Sequence, residues 1–227
     1  MYGEGGGIMA EISGLPQSSC VVVLRPEEGP AAPLLESIRE LAPMEESDLL
    51  AEDGAGRVLI IKAGDDPEET AEFAMALIGT LEGETGVRLR AGISNAHYAP
   101  EEWPAGYREA LEALETGDRF RRKAPVQVYA HQMLERMVTR IPGDVRKNLR
   151  KQVFGERPEE ILTEETLETA ESLFDADLNL SVAARQMFVH RNTLTYRLDR
   201  IRRETGLDLR VFRDAVIFRL LMLSEEE

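Results

Sequence analysis

Residues 178–201, LNLSVAARQMFVHRNTLTYRLDRI, read as two short helices around a tight turn, with arginine concentrated in the second. At about 100° per residue, a helix over 191–204 places Leu194, Leu198 and Ile201 on one stripe about 60° wide. That stripe is the predicted core face. The opposite side carries Asn192, Tyr196, Arg200 and Arg203, with Thr193 and Asp199 beside them and Thr195 on the flank. The helix before it, over 181–187, begins with Ser181 at a predicted N-cap position, and its Ala183-Ala184 pair lets a second helix cross closely. Phe188, Val189 and His190 make the turn, with Val189 pointing inward and His190 capping the second helix.

Such a pair is a helix-turn-helix, in which the N-terminal end of the second helix enters the major groove of DNA. Amides, hydroxyls and guanidinium groups are what base edges and phosphates bind. Arg191, Asn192, Thr193 and Tyr196 are the candidates for base contacts, although Tyr196 reads equally well as a packing residue. Arg200 and Arg203 lie further along, where phosphates are in reach. His190, Thr195, Arg197 and Ser181 complete the candidate DNA-binding set. A run of arginines is ordinarily a solvated face; here the charges stand opposite a formed core stripe. Phe188 occupies a turn position where glycine is frequent, so it must avoid φ > 0 or accept strain.

The string His190-Arg191-Asn192-Thr193-Leu194, followed by Tyr196-Arg197-Leu198 and Ile201, closely resembles the C-terminal helix-turn-helix of the PucR/CdaR family of bacterial transcriptional regulators, itself Fis-like. The resemblance covers residues 182–206. It implies a DNA-binding regulator.

The overall charge opposes this, since 27 Lys+Arg against 42 Asp+Glu give a net of −15. Its distribution resolves the conflict. Residues 181–213 hold eight arginines and three acids, a net of +5, and the remainder of the chain carries −20. An acidic body weakens non-specific attraction to DNA and favours docking through one patch, so affinity should be modest and salt-sensitive.

A chain of 227 residues with 43% hydrophobic residues has room for one large or two small domains. Cys20 is the only cysteine, which excludes an intramolecular disulfide, and with three histidines a Cys/His zinc site is not expected. No apolar run approaches the roughly 18 residues that span a bilayer. The Gly-rich start lacks a signal-peptide profile, so the sequence predicts a soluble cytoplasmic protein with a disordered tail over 1–16 and no membrane partner.

Upstream of the helix-turn-helix the chain alternates strand and helix patterns. A buried strand over 20–24 is followed by a helix over 33–41 entered through prolines. Segments 49–52 and 57–62 flank a turn that fits a β-hairpin. A helix over 68–81 has an acidic first turn suited to the helix dipole and carries Phe73, Ala74, Leu77, Ile78 and Leu81 at helical spacing. Alternation at Val87, Leu89, Ala91 and Ile93 marks a strand with one face buried. Pro104 opens another helix, and 126–129 is a last strand. The predicted order is βαββαβαβ.

This order, with cues such as Leu89-Arg90-Ala91-Gly92-Ile93-Ser94, resembles the GGDEF-like domain of the same family, a relative of the diguanylate cyclase fold. The resemblance covers residues 20–130. The implied fold class is α+β: a GGDEF-like, nucleotide-cyclase-like α/β domain over 17–130, a helical connector over 131–160, and an all-α helix-turn-helix domain over 161–227. In an active cyclase the hairpin turn carries carboxylates that hold metal and activate the attacking hydroxyl. Here that turn reads Glu52-Asp53-Gly54-Ala55-Gly56-Arg57, and the first strand leads into Arg25-Pro26 without the metal-binding aspartate. Neither cyclase activity, a catalytic residue, a metal nor a cofactor is expected. Family members respond to small molecules, usually through additional N-terminal sensing modules. This chain starts almost directly at the α/β domain, so such a module is expected to be absent or vestigial.

Other motifs carry less. Gly3 to Gly7 lack the spacing and the strand-before-helix setting of a dinucleotide loop. Asp65, Asp66, Glu68 and Glu69 fit an acidic helix start. His97, Tyr98 and Trp103 belong to a packed loop, His131 has no visible partner, and Cys20 is a core residue. Segment 131–165 reads as a helix over 131–140, a breaker over 141–144 and a basic stretch over 146–151. A helix beginning at 163–166 presents Leu167, Ala170, Leu173 and Phe174. The last segment, 211–223, is apolar nearly all round and is predicted to be buried. It, or the helix at 165–176, is expected to contribute to a homodimer contact. A nucleotide-binding or cyclase-like signalling protein, using the α/β domain, is the alternative reading.

Overall fold

The structure, a computed structural model, describes residues 15–27, 32–42, 44–120 and 123–224. Apart from Leu15 and Pro16, the expected tail lies outside them, as does the Gly3–Gly7 stretch. The chain forms two compact units, divided between Met133 and Leu134.

The first unit follows the predicted order. Strand β1 (Ser19–Pro26), helix α1 (Ala32–Leu41), strands β2 (Leu49–Glu52) and β3 (Val58–Ala63), helix α2 (Pro67–Thr85), strand β4 (Leu89–His97), helix α3 (Trp103–Arg119) and strand β5 (Val126–Val128) succeed one another. Their sheet has the order β2-β3-β1-β4-β5, with β4 and β5 parallel and every other pair antiparallel. β1 is central, and Cys20 to Leu24 are 0% exposed. Successive residues of a strand face opposite sides. Cys20, Val22 and Leu24 therefore join Ile38, Leu77, Ile78 and Leu81 in one core, while Val21 and Val23 join Ala110 and Leu114 of α3 in another. Burying each Val or Leu this way contributes about 1.5–3 kcal/mol.

β4 departs from the sequence reading, which gave it one buried face. It is covered on both. A Cβ on Gly92 would lie 1.9 Å from the carbonyl oxygen of Ala110, so α3 rests directly on the strand backbone. Where β1 shifts register against β4 between Cys20 and Val22, the Val21 N–H donates to Ser94 Oγ at 2.8 Å, which keeps a buried donor paired across the bulge. α2 begins as its acidic start suggested. Asp66 caps it by accepting from the Glu68 N–H at 2.8 Å, with Pro67 in the first turn.

Helix α4 (Met133–Thr139) begins at the division between the units. The second unit continues with α5 (Gly143–Phe154), α6 (Pro158–Ile161), α7 (Glu164–Asp175), α8 (Leu180–Gln186), α9 (Arg191–Thr205) and α10 (Phe212–Met222). Its core joins Phe154, Ala170, Leu173, Ala183, Ala184, Leu194, Leu198, Ile201, Leu209, Phe218 and Leu221. Phe154 and Phe218 meet edge to face at 5.5 Å. The basic stretch at 146–151 lies within α5, where the buried Arg150 donates to the Leu221 carbonyl at 2.7 Å near the end of α10. α10 is not buried all round as its sequence suggested: Ala215, Phe218 and Leu221 face the core, while Phe212, Val216 and Ile217 are exposed. Three core contacts spaced three apart suffice to hold a helix of this length, and the opposite face stays in solvent.

Candidate nucleic-acid interface

Three consecutive helices are joined by caps alone. α7 ends where the Leu178 N–H donates to the Leu173 carbonyl at 2.9 Å and the Asp177 N–H to that of Phe174 at 3.0 Å. This pair of bonds is a Schellman closure, which needs left-handed backbone; Asp177 and Leu178 have φ of 50° and 61°. The reversal delivers Asn179 to the start of α8, where its side chain accepts from the N–H groups of Ser181 (3.0 Å) and Val182 (3.3 Å). The N-cap is thus Asn179 rather than Ser181, which sits in the first turn. Both are capping types; the bend at 177–178 decides between them.

α8 closes in the same way. The Val189 N–H donates to the Ala184 carbonyl at 3.0 Å and the Phe188 N–H to that of Arg185 at 3.1 Å. Phe188 takes the position usually held by glycine, with φ 55°. Of the two outcomes the sequence left open, it accepts the strain. Val189 packs against the core. His190 caps α9, its Nδ1 accepting from the Asn192 N–H at 3.2 Å.

Leu194, Leu198 and Ile201 are buried, at 0–2% exposure, as the helical spacing required. Arg191, Asn192, Thr193 and Tyr196 are exposed along the start of α9. Tyr196, at 65% exposure, is not a packing residue of the core; the Arg203 guanidinium lies 5.9 Å from its ring centre. The Thr195 hydroxyl donates to the Arg191 carbonyl within the helix.

The arginines divide into two groups that no periodicity distinguishes. Arg197 pairs with Glu165 of α7 at 3.0 Å, and Arg200 lies 2.9 Å from Glu204 and 3.5 Å from Glu165. These carboxylates raise the pKa of Arg200, the Glu204 hydrogen bond foremost. Arg210 pairs with Asp208 and Asp199, Arg202 with Asp208, and Arg213 with Asp214. The Arg210 hydrogen bond, ahead of the cost of burial, holds the Asp208 carboxyl below the usual range. Among the described residues, Arg185, Arg191 and Arg203 have no carboxylate partner. Arg185 and Phe188 border the candidate set without having been placed in it. Exposure and pairing, both tertiary properties, bring them out.

In the α/β unit the hairpin turn at 52–57 is bound up internally. Asp53 accepts from the Ala55 N–H at 2.8 Å and from the Tyr107 hydroxyl at 2.7 Å, and it pairs with Arg57. Arg57 in turn donates to the Tyr107 oxygen at 3.0 Å. Burial opposes the charged form of Asp53, but Tyr107, the Ala55 N–H and Arg57 outweigh it and keep its pKa below the ordinary value. Arg25, where a metal-binding aspartate is absent, pairs with Asp118 at 2.8 Å. His97 faces Glu109 at 3.3 Å, and the Trp103 indole N–H donates to Ser19 Oγ. His131 pairs with Glu68, a partner invisible in the sequence. Cys20 lies in the core, where burial raises its pKa. Among the described residues no three His, Cys, Asp or Glu side chains cluster as a metal site, and no helix is long and apolar enough to cross a membrane.

An all-α unit presenting a capped second helix with polar and cationic residues outward, preceded by a β-hairpin-bearing α/β unit, defines a two-unit helix-turn-helix protein. Residues 166–223 match the PucR C-terminal helix-turn-helix domain, and residues 14–116 match the GGDEF-like domain. The second unit thus matches the helix-turn-helix of PucR-type regulators, and the first unit a GGDEF-like domain. The chain is 25% identical to the purine catabolism regulatory protein of Bacillus subtilis (strain 168) over 160 residues, 67% of this chain and 30% of that protein. It is also 25% identical to the carbohydrate diacid regulator of Escherichia coli (strain K12) over 162 residues, 71% of this chain and 42% of the other. The matched regions thus span well under half of these relatives. A solved structure, a regulator of polyketide synthase expression from Bifidobacterium adolescentis, aligns over 93% of this chain and 82% of its own at 20% identity, with a TM-score of 0.38. A score that low fixes no common arrangement.

Proposed function

We propose that this chain is a sequence-specific DNA-binding transcriptional regulator that reads the major groove with the N-terminal half of α9. The observation that carries the reading is the exposed, unpaired set Arg191, Asn192 and Thr193 at the capped start of a helix whose opposite stripe is buried. In this motif that end of the second helix meets base edges. Asn192 offers the paired donor and acceptor that match adenine, and Arg191 the two donors that match guanine. Tyr196 and Arg203 continue the same face. His190 and Ser181 lie at the starts of the two helices, within reach of phosphates. Arg197, Arg200 and Thr195 contribute second, since each already has a partner inside the protein.

The protein acts as a homodimer on a two-half-site operator, in the cytoplasm and without a catalytic role. The exposed Phe212, Val216 and Ile217 of α10 favour self-association through that helix. The α/β unit serves signal transmission or oligomerisation, with any effector a small molecule. The cyclase-like alternative is disfavoured by Asp53, whose carboxylate is engaged by Tyr107, Arg57 and backbone. Selection of bound fragments from genomic DNA of the source organism tests the reading. Recovery of a shared, twofold-related motif supports it, and recovery of unrelated fragments at background yield contradicts it. Light scattering at micromolar protein tests the dimer, which a purely monomeric mass would exclude.

A further inference from the structure

We infer that Phe188 is an apolar contact to duplex DNA, its ring resting on the deoxyribose wall of the major groove beside the start of α9. The inference rests on the DNA-binding reading above. Left-handed backbone is disfavoured for any residue with a Cβ, and glycine or asparagine would relieve it. Yet at φ 55° the chain carries phenylalanine. Among the described residues nothing repays the presence of a side chain there, because it is 96% exposed and takes no part in the core of its unit.

The backbone around it is fixed. The N–H groups of Phe188 and Val189 close α8, Val189 packs inward, and His190 caps α9 one residue later. The Cα–Cβ bond of Phe188 therefore points outward from a fixed backbone rather than from a loose loop.

Its surroundings name the partner. Residues 179–198 contain three arginines and no acid, in a chain with 42 acids. Arg185 and Arg191, three residues to either side, are exposed and have no carboxylate partner among the described residues. An aromatic ring between two free guanidinium groups suits a surface on which anionic and apolar groups alternate, as phosphate and deoxyribose do along a strand. The place in the motif agrees. The first helix crosses the DNA backbone and the second enters the groove, so the residue joining them lies where the protein passes from one to the other. Because Phe188 precedes the helical turn that reaches base edges, its contact is with sugar and is independent of sequence.

Urea unfolding and duplex titrations of the wild-type chain, Phe188→Gly and Phe188→Tyr test this, using a genome-selected duplex and a scrambled one. Phe188→Gly is expected to keep or raise the urea midpoint. Loss of a ring contact worth part of a fully buried phenylalanine weakens binding about tenfold. The loss falls on both duplexes alike. The slope of log K against log salt stays unchanged because no charge is removed. Phe188→Tyr keeps the ring and is expected to keep the affinity. Wild-type affinity in Phe188→Gly overturns the inference, as does a lowered urea midpoint with no rescue by tyrosine, which would mark a structural role. Unchanged DNA affinity with lost self-association would overturn it in favour of a second copy as the occupant. Failure of the wild type to prefer any duplex would instead defeat the DNA-binding reading itself.

Discussion

His190 fastens the start of α9 through a single acceptor, Nδ1, which takes the Asn192 N–H. Such caps contribute about 1 kcal/mol, so His190→Ala should lower stability by about that amount in urea, with His190→Asn restoring most of it. Asp53 supplies a pH signature in the other unit. Its folded pKa is depressed, so the stability it contributes is complete above its unfolded pKa of about 3.9 and is lost as pH falls through the folded value. Asp53→Asn should therefore be less stable than wild type at pH 7, and the gap in urea midpoint should close below about pH 4. The His190 cap was legible because a polar side chain stood directly before a helical stripe. The cap of α8 is Asn179 rather than Ser181 because of left-handed residues at 177 and 178; aspartate tolerates that backbone, but Leu178 is a residue type that rarely adopts it, so the bend was not legible.

At the scale of elements, Glu165 ties α7 to α9 by facing both Arg197 and Arg200. Exposed pairs of this kind contribute little to stability, about 0–1 kcal/mol, but this one withholds Arg197 from DNA, Arg200 being held by Glu204 as well. Glu165→Gln should therefore strengthen DNA binding about three- to tenfold and steepen its salt dependence, since each added phosphate contact contributes roughly −0.9 to the slope. A weaker complex would mean that the pairs are needed to aim α9. Strand and helix order in the α/β unit were legible because short hydrophobic repeats declare their period. The two-sided burial of β4 was not, because Gly92 offers no side chain to count and the helix that covers it comes from later in the chain. The exposed face of α10 escaped for the opposite reason: an apolar residue reports what can be buried, not whether a neighbour is there to bury it.

For the whole molecule, a net charge of −15 is set against a basic segment confined to 181–213. Counting residues suggested eight cations for DNA; the ion pairs leave Arg185, Arg191 and Arg203 without carboxylate partners among the described residues. Non-specific affinity should accordingly be weak. With Arg185 and Arg203 on phosphate and Arg191 on a base edge, the salt slope should be about −2 per half-site. Specificity then depends on few side chains, Asn192 foremost. The most direct measurement is titration of genome-selected and scrambled duplexes with wild type and Asn192→Ala. A base-reading Asn192 loses about 1–3 kcal/mol at the selected site when truncated and little on the scrambled duplex. Equal losses on both, or none on either, would contradict the claim that α9 reads sequence.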